Sequence, residues 1–511
     1  MSGIYFLASQ SLSSLHSSLA QGGPPVAYSL LACLFVYWTC SAVYKVYFSP
    51  LSHIPGPKLA ALTYLYEAYY DVWLGGKYFL RVAEMHKQYG PIVRITPDEV
   101  HFADPEFLDA LYPAGGRKTD KPSWFPLLNG TPYAIASTTH HDLHRQRRNA
   151  LSPFFSTTNS SARAQEVVKI HEVFKAAASD IITTYAFDNS FNFLEMPNYG
   201  KTYLEATNKF LLLSHICVLF PFTYPLIQNS PDWLLRLLFP NLREVRERQN
   251  WWLDQVHSIR KSPDAERAKR TIFGGILSSK LPDEEKTDLR LASEAQSMVF
   301  AGESTTAWGL NSALYELLAH PDEFRKLREE LSALELDPSG IPSLSQVDGL
   351  PYLGAIIQEA LRVHPGVLTR QMRVSPEVPV TYVDRVKGKP YVVPPGVVTS
   401  MSPHITHRDP AAFEEPLEFR PQRWIDNPKL ARYFHGFARG SRNCVGMSLA
   451  RREIALTLAT LVLKYDLYRG QKGPSMELYD TERARDVDAH SDFIIPVPAE
   501  GSQGVRIKFR T

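Results

Sequence analysis

The residues best suited to chemistry lie around one cysteine near the C-terminal end of the sequence. Phe437, Gly440 and Arg442 precede Cys444, and Gly446 follows it. A thiolate that binds a metal needs a lowered pKa, which the N-terminus of a helix beginning near Gly446 can supply. Arg442 can neutralise an anionic cofactor group, Phe437 can shield the sulfur, and the glycines allow close backbone approach. This pattern makes Cys444 a candidate thiolate ligand of a metal ion in an anionic cofactor.

Cysteine usage leaves other roles for Cys444 open at this point. The sequence has four cysteines, of which Cys33 and Cys40 lie in an apolar N-terminal stretch and Cys217 and Cys444 in the remainder. No CxxC pair or Cys/His cluster occurs, which argues against a zinc site or a disulfide framework. A lone cysteine in a large intracellular enzyme is most often buried packing, so the prediction for Cys444 depends on its neighbours.

The segment from Phe437 to Gly446 resembles the heme loop of the cytochrome P450 family, FxxGxRxCxG, at all five fixed positions. Five such matches would arise by chance in about one of ten thousand chains of this length at ordinary residue frequencies. The resemblance implies heme b as the cofactor, with Cys444 bound to its iron. It also implies a mainly α-helical domain with small β-sheets and monooxygenase activity.

A second motif, ExxR, lies upstream at Glu359 and Arg362, and Arg423 matches the arginine of the family's following meander. In the family these three residues form a buried salt-bridged cluster that fixes the cysteine loop, and we expect the same here. By spacing alone, Glu359 and Arg362 would more often be a surface pair. Their position relative to Cys444 favours the buried cluster.

Further positions match the family's contacts to the heme propionates. Arg373 and Arg148 take two arginine positions, and Arg442 takes a third. His144 stands where the family usually has Trp, and a neutral imidazole can still donate a hydrogen bond. Without the resemblance, the arginines clustered around Arg148 would indicate a solvated helix face.

Residues 301–306 resemble the family's oxygen-binding segment, AGx[D/E]T[T/S], within a long predicted helix. Ala301 and Thr305 are four apart and share a face, and the resemblance implies that Thr305 holds the water that protonates bound oxygen. Ser304 occupies the position of the family's acid, where it can act only as a relay. Glu303 precedes it by one helical step. Either Glu303 reaches the site through water, or the protons come from elsewhere.

The resemblance also places a substrate pocket along mostly apolar residues: Trp124, Phe125, Leu127, Val299, Phe300, Val367, Leu368, Phe493, Ile494 and Ile495. For any one of these residues, packing in the hydrophobic core is about as common as contact with a substrate. The segment 210–240 is very apolar around a break at residues 229–231, and we expect it to form a cap that dips into a bilayer. Its apolar residues include Trp233, Leu234, Leu235, Leu237, Leu238 and Phe239.

The N-terminal stretch predicts a membrane anchor. Residues 26–44 are nineteen residues without a charge, long enough for a transmembrane helix. A cleaved signal peptide would need a basic beginning and a shorter apolar core. Positive charge follows the span, so the positive-inside rule puts residues 1–25 in the lumen and the body in the cytosol. Residues 45–58 are rich in proline and predict a hinge.

Beyond the hinge, residues 59–511 read as one catalytic domain. Helical periodicity predicts helices near 76–89, 164–185, 242–260, 286–318, 321–333, 351–363 and 446–463. Extended segments lie near 91–103, 379–399 and 490–510, too few for a sandwich or barrel. The stretch 419–444 has no period and predicts an ordered loop.

The composition is ordinary for a globular protein, with 44% apolar and 21% charged residues and a net charge of +2. No basic stripe interleaved with aromatics occurs, so nucleic-acid binding is not predicted. No GxGxxG motif is present, so electrons should come from a separate NADPH reductase, and cytochrome b5 is a further candidate partner. The sequence as a whole resembles fungal oxygenases of the trichodiene-oxygenase type. This resemblance implies a terpenoid or other secondary-metabolite substrate.

We therefore expect a single-pass protein of the endoplasmic reticulum membrane that oxygenates a hydrophobic small molecule. Two alternatives remain at this stage. A heme-thiolate isomerase or dehydratase would need no external electrons, and Thr305 argues against it. A heme-binding membrane protein without enzymatic activity would show no turnover.

Overall fold

In the computed structural model, the described part of the chain begins with an apolar helix, α1 (Gly23–Val43), followed by a π-helical turn at Tyr44–Phe48. The structure describes residues 23–115, 117–151, 167–231, 233–234, 237, 242–262, 270–336, 338 and 340–510. Within these ranges, Tyr28–Phe48 is the one helix long and apolar enough to cross a membrane, and none of it is buried. Most of the predicted lumenal tail, residues 1–25, lies outside the described residues.

Helices form most of the body. The longer ones are α2 (Tyr78–Tyr89), α3 (His141–Leu151), α4 (Ile170–Phe187), α5 (Lys201–Leu212), α6 (Ser214–Leu219), α7 (Thr223–Asn229), α8 (Leu242–Lys261), α9 (Ile272–Ser278), α10 (Asp288–Ala319), α11 (Pro321–Ser332), α12 (Pro351–Val363), α13 (Gln422–Asp426) and α14 (Met447–Lys464). Short helical turns lie at Lys58–Leu62, Leu65–Ala68, Leu108–Leu111, Pro126–Asn129, Leu344–Val347 and Pro403–Thr406.

Helix α10 is the central element, since it packs against α4, α8, α12 and α14. The Thr287 side chain caps its N-terminus by accepting a hydrogen bond from the Arg290 amide. Helices α11 and α12 each begin on a proline, whose fixed φ suits a first turn. One apolar core lies between α10, α11, α12, α14 and the C-terminal strands, and a second lies between α4, α8, α9 and α10.

The strands are short and peripheral: β1 (Ile92–Thr96), β2 (Glu99–Phe102), β3 (Val167–Lys169), β4 (Arg373–Val374), β5 (Val380–Val383), β6 (Pro390–Val393), β7 (Val398–Ser400), β8 (Asp466–Leu467), β9 (Ser475–Leu478), β10 (Ser491–Phe493), β11 (Ile495–Val497) and β12 (Arg506–Arg510). Two sheets have the orders β1-β2-β7-β4 and β3-β12-β9-β8, and β5-β6 and β10-β11 are hairpins. This mainly helical architecture with small sheets is the predicted fold class.

Six of the seven predicted helices have nearly the predicted bounds, whereas the helix predicted at 164–185 begins only at Ile170. Val167–Lys169 is instead strand β3, where two β-branched residues pair with β12. Each predicted extended segment contains two or three separate strands. The predicted loop 419–444 contains α13 and two 3₁₀ turns, Pro428–Tyr433 and Gly440–Arg442.

The segment predicted as a hinge, residues 45–58, is held to the body along its length. Leu51 and Ile54 are buried in an apolar cluster with strands of the first sheet and the β5-β6 hairpin. The Arg94 guanidinium donates to the Lys45 carbonyl at 2.8 Å, and its backbone N–H donates to the Pro55 carbonyl at 2.8 Å. These contacts fix the direction in which the chain leaves α1.

Candidate active site

Cys444 lies in a tight loop that leads into α14. Its backbone N–H donates to the Phe437 carbonyl at 2.8 Å, and the Asn443 N–H donates to the Gly440 carbonyl at 3.1 Å. Gly446 occupies the N-cap of α14, two residues after the cysteine. The loop therefore presents Cys444 at the N-terminus of a helix, as the sequence predicts.

Gly440 has a structural reason to be glycine. Its φ is +71°, which favours glycine, and a Cβ there would lie 2.6 Å from the carbonyl oxygens of Tyr112 and Pro113. The close approach is thus to the 112–113 backbone, against which the loop packs.

The expectation of a lowered thiol pKa is wrong for the polypeptide alone. Burial raises the pKa of Cys444, and the Gly446 N–H and the Arg148 charge lower it by less. Cys444 is nevertheless exposed, so its side chain is accessible to a bound group. A bound metal ion deprotonates a coordinating thiol by its own charge, so ionisation of Cys444 belongs to metal binding.

The predicted propionate ligands converge beside this loop. Arg148 donates to the Asn443 carbonyl at 2.6 Å and to its side-chain oxygen at 2.7 Å. Arg373 is buried, with its guanidinium 5.0 Å from the centre of the Tyr112 ring. Arg442 donates to the backbone carbonyls of residues 119, 138 and 139, and its Nε is buried with no hydrogen-bond partner among the described residues.

His144 is buried among these cations. Burial, followed by the charges of Arg442, Lys121, Arg148 and Arg373, lowers the pKa of His144 to about 2. The imidazole is therefore neutral at physiological pH and has one N–H to donate. It lies where the sequence places it, beside the predicted propionate ligands.

Glu359, Arg362 and Arg423 meet in a buried cluster. The Glu359 carboxylate accepts from the Arg362 Nε at 2.8 Å, the Arg423 Nε at 3.0 Å and the Trp424 Nε1 at 2.8 Å. Arg362 also donates to the carbonyls of residues 407, 416 and 418. The cluster joins α12 to α13 and to the chain that leads to Cys444.

On the other side, α10 exposes a short stretch although most of the helix is buried. Ala301 is exposed and Thr305 is half-buried, one turn further on the same face. The Thr305 hydroxyl donates to the Ala301 carbonyl at 2.7 Å. Gly366 lies against Thr305, since a Cβ on Gly366 would be 3.6 Å from the Thr305 Cβ. Thr305 therefore lies beside the segment that carries Val367 and Leu368.

Glu303 does not lie beside Thr305, which favours the second of the two alternatives, that the protons come from elsewhere. It is fully buried against α4, where its carboxylate accepts from the Ser179 hydroxyl at 3.0 Å and lies 3.8 Å from the Lys175 Nζ. Two helical steps separate Glu303 from Thr305 and place them on opposite sides of α10. Burial raises the pKa of Glu303, and Lys175 partly offsets it.

Ser304, at the position of the family's acid, is buried and its hydroxyl has no hydrogen-bond partner among the described residues. Gly302 contacts α4 as well, since a Cβ there would come 3.0 Å from Ile182. The helix therefore uses this glycine for close packing.

Most predicted pocket residues keep some accessible surface. Trp124, Phe125, Leu127, Val367, Phe493, Ile494 and Ile495 are half-buried, and Leu368 is buried. Phe300 is different, because its ring packs between Phe210 at 5.9 Å and Trp252 at 5.7 Å, and Val299 is fully buried beside it. These two residues pack in the apolar core that α10 shares with α4, α8 and α9.

The predicted cap is described only in part. Leu235, Leu238 and Phe239 lie outside the described residues. Exposed apolar side chains in the remainder are Phe222, Leu226, Trp233 and Leu237, while Leu234 is half-buried. These four exposed residues agree with a surface that meets an apolar phase.

Comparison with known protein families matches residues 154–480 to Cytochrome P450. The chain belongs to the cytochrome P450 family. The cytochrome P450 monooxygenase tpcC of Cochliobolus heterostrophus is 35% identical over 511 residues, covering 95% of this chain and 97% of tpcC. Tryptophan 6-hydroxylase fscE of Fusarium equiseti is 36% identical over 493 residues, 91% of this chain and 93% of fscE. N-acetyltryptophan 6-hydroxylase ivoC of Emericella nidulans is 33% identical over 511 residues, 94% and 96% of the two chains.

This cytochrome P450 is therefore a monooxygenase and an oxidoreductase, and the family implies a heme with a thiolate ligand. The residues present fit that cofactor. Arg148, Arg373 and Arg442 surround a neutral His144, and the unpaired Arg442 Nε is a buried donor. A group of buried cations with so little anionic compensation is costly unless an anion such as a propionate joins it.

Lys121 is a member of this group that the sequence did not reveal. Burial, followed by Arg373 and Arg442, lowers the pKa of Lys121 well below its usual value. Its Nζ donates to the Ala136 carbonyl at 2.6 Å and lies 3.8 Å from the centre of the Phe125 ring. Nothing in the sequence indicated it, because Lys121 follows Arg117, Lys118 and Asp120 in a charged stretch typical of a solvated loop.

Proposed function

We propose that this cytochrome P450 inserts one oxygen atom from O2 into a hydrophobic small molecule, a terpenoid or another intermediate of fungal secondary metabolism. The observation that carries the proposal is the accessible stretch of α10. Ala301 and Thr305 share its face, and Thr305 lies against Gly366, next to Val367 and Leu368. An accessible hydroxyl beside an apolar surface suits oxygen chemistry on an apolar molecule.

The apolar character of the surrounding residues supports a hydrophobic substrate. Trp124, Phe125 and Leu127 precede α3, and Phe493 and Ile494 form a hairpin tip against Leu368. Asp492, the acid that directly precedes Phe493, is buried and accepts hydrogen bonds from the Thr369 hydroxyl and from the Ile494 amide. Its carboxylate is therefore hydrogen-bonded within the protein. Recognition of the substrate then depends on apolar contact.

We assign Cys444 as the iron ligand and Arg148, His144, Arg373, Arg442 and Lys121 as the residues that hold the propionates. The heme, when bound, supplies the iron that activates oxygen. Phe437 and the Gly440 turn shape the loop around the thiolate. The cluster of Glu359, Arg362 and Arg423 holds that loop in place, because it joins α12 to α13 and to the chain that leads to Cys444.

Thr305 is the residue that we assign to proton delivery. Its hydroxyl donates to the Ala301 carbonyl, and it can hold a water on the accessible side through its free lone pairs. Ser304 adds a second hydroxyl one residue away, whose hydrogen-bonding capacity is not used within the described residues. Since Glu303 is turned toward α4, protons reach Thr305 by another route, and water is the simplest donor.

Electrons come from a separate NADPH reductase, with cytochrome b5 as a further candidate donor. The apolar helix at Tyr28–Phe48 supports anchoring in the endoplasmic reticulum membrane, with residues 1–25 in the lumen and the catalytic domain, residues 59–511, in the cytosol. Such an anchor would keep the enzyme beside a membrane-bound reductase and a membrane-dissolved substrate.

The test is reconstitution with an NADPH-dependent reductase, followed by metabolite analysis of a panel of terpenoid and indole substrates under labelled O2. The proposal predicts a product that contains one labelled oxygen and forms only when NADPH and reductase are both present. A product formed without reductase, by rearrangement or loss of water, would support a heme-thiolate isomerase or dehydratase instead.

A further inference from the structure

The hairpin β10-β11 has an unusual tip. Phe493 pairs directly with Ile495, so that Ile494 alone makes the turn, with a φ of +72°. A β-branched residue is rarely found in this left-handed region, where it costs about 1–3 kcal/mol. The surrounding structure must therefore hold Ile494 in this conformation.

The Asp492 side chain is part of what holds the tip. One carboxylate oxygen accepts from the Ile494 N–H at 2.9 Å and from the Thr369 hydroxyl at 2.8 Å. On the far side of the turn, the Ile494 carbonyl accepts from the Leu368 N–H at 3.3 Å. These contacts tie the tip to the segment that follows α12.

The Asp492 backbone is clamped between two other parts of the chain. Its N–H donates to the Gly76 carbonyl at 2.9 Å, and Gly76 lies so close that a Cβ there would be 2.5 Å from the Asp492 oxygen. From the opposite element, α6, the His215 Nε2 donates to the same Asp492 carbonyl at 2.6 Å. The His215 ring also lies 5.3 Å from the Phe493 ring.

The second nitrogen of His215 is engaged as well. Its Nδ1 lies 3.5 Å from the Asp71 carboxylate, which also accepts from the Tyr78 N–H at 3.0 Å. Burial alone would lower the pKa of His215, but Asp71 and Asp492 outweigh it and raise the pKa. A protonated ring donates from both nitrogens, and His215 thus bridges α6, the hairpin tip and the segment before α2.

We propose that His215 is a positioning residue for substrate selectivity, because it joins the cap helix α6 to the hairpin tip and keeps Phe493 and Ile494 in their places on the pocket wall. This role rests on the proposed function, in which those two residues contact the substrate. Without the bridge, the tip loses the clamp from the α6 side. Ile494 can then relax toward a negative φ, which turns its side chain away from the wall.

Two iron ligands of different size test this role without knowledge of the substrate. Imidazole and 4-phenylimidazole bind ferric heme through the same nitrogen, and only the phenyl ring extends into the surrounding pocket. In His215→Leu, 4-phenylimidazole should bind about tenfold more weakly relative to imidazole, the size of effect that a changed apolar contact produces. In His215→Gln, whose side-chain N–H can still reach the Asp492 carbonyl, the ratio should return toward that of the wild type.

His86→Leu is the matched control, because the His86 Nδ1 also contacts a backbone carbonyl, that of Gly90, at 2.7 Å, away from the hairpin tip. Its ligand ratio should equal that of the wild type. If His215→Leu does not bind heme, Asp71→Asn weakens the same bridge from the other side and should shift the ratio in the same direction by less.

An unchanged ratio in heme-loaded His215→Leu would overturn this role, and so would an equal shift in His86→Leu. Failure of the proposed function is a separate result. In that case the wild-type protein itself would form no labelled product that depends on NADPH and reductase, whatever the ligand ratios of the His215 variants.

Discussion

The surroundings of Glu359 and of Ser304 differ in how their polar groups are held. Both carboxylate oxygens of Glu359 accept charge-assisted or indole hydrogen bonds, and Arg362 donates to three further carbonyls. Along α10, by contrast, the Ser304 hydroxyl and the Trp308 Nε1 are buried with no partner in the described part of the chain. Buried groups of this kind usually bind ordered water. We infer that the first region is a rigid frame for the cysteine loop, whereas the second keeps two buried donors that the described residues leave unsatisfied.

The largest effect should follow from removing the centre of the rigid frame. Glu359→Ala leaves Arg362 and Arg423 as unpaired buried cations, which costs roughly 3–5 kcal/mol. We expect little heme-loaded protein, as measured by heme content per polypeptide. The matched control is Glu329→Ala, which removes an exposed i,i+4 pair with Arg325 and should change stability by less than about 1 kcal/mol. Normal heme content in Glu359→Ala would contradict the rigid frame.

The next effect concerns Glu303, whose partner is on α4. Glu303→Gln leaves the buried Lys175 without its carboxylate, and we expect a loss of roughly 3 kcal/mol of unfolding free energy, measured by chemical denaturation. A second substitution, Lys175→Met, should restore most of it by removing the unpaired charge. Product formed per NADPH should be unchanged in the double variant. If Glu303→Gln instead lowers the product formed per NADPH while its unfolding free energy stays normal, Glu303 takes part in proton delivery.

Thr305→Ala should act on catalysis and leave the frame intact. We expect normal heme content, while product formed per NADPH falls about tenfold or more, consistent with the loss of a proton-transfer group. The electrons should appear as hydrogen peroxide. Thr305→Ser keeps the hydroxyl and should retain coupling, and Thr306→Val, at the neighbouring buried position, is the control. If Thr305→Ala and the wild type form equal amounts of product per NADPH, Thr305 does not take part in proton delivery.

The smallest of these effects is expected at Lys121. Lys121→Met removes one of several donors around His144, and we expect heme to dissociate about five to ten times faster, which corresponds to about 1–1.4 kcal/mol, within the range of a single hydrogen bond. Lys121→Arg should restore slow dissociation. Lys118→Met, which affects an exposed pair with Asp142, should dissociate like the wild type. An unchanged rate of heme dissociation in Lys121→Met would mean that the arginines hold the propionates without Lys121.

The sequence predicted the frame better than the oxygen side for a physical reason. The cluster of Glu359, Arg362 and Arg423 was implied by the resemblance to the cytochrome P450 family, since the spacing of Glu359 and Arg362 alone favours a surface pair. The position of Glu303 depends on which neighbour α10 packs against, and Lys175, more than a hundred residues away, decides it. The same is true of Lys121 and of Phe300, which lies between Phe210 and Trp252.

Some local expectations also failed because a long-range contact outweighed them. The helix predicted from residue 164 begins only at Ile170, because Val167 and Val168 form strand β3 and pair with β12 near the C-terminus. The proline-rich segment 45–58 is fixed by burial of Leu51 and Ile54. Neither partner is adjacent in sequence, so periodicity cannot reveal it.

The central claim is that Cys444 is the thiolate ligand, and the absorption spectrum of the reduced carbon monoxide complex tests it directly. The wild type should show the long-wavelength Soret band of a thiolate-ligated heme, and Cys444→His should move it to the position typical of imidazole ligation. Cys444→Ala should abolish the band, whereas Cys217→Ala, at a buried cysteine in α6, should keep it. A thiolate band that survives in Cys444→Ala and disappears in Cys217→Ala would contradict the account.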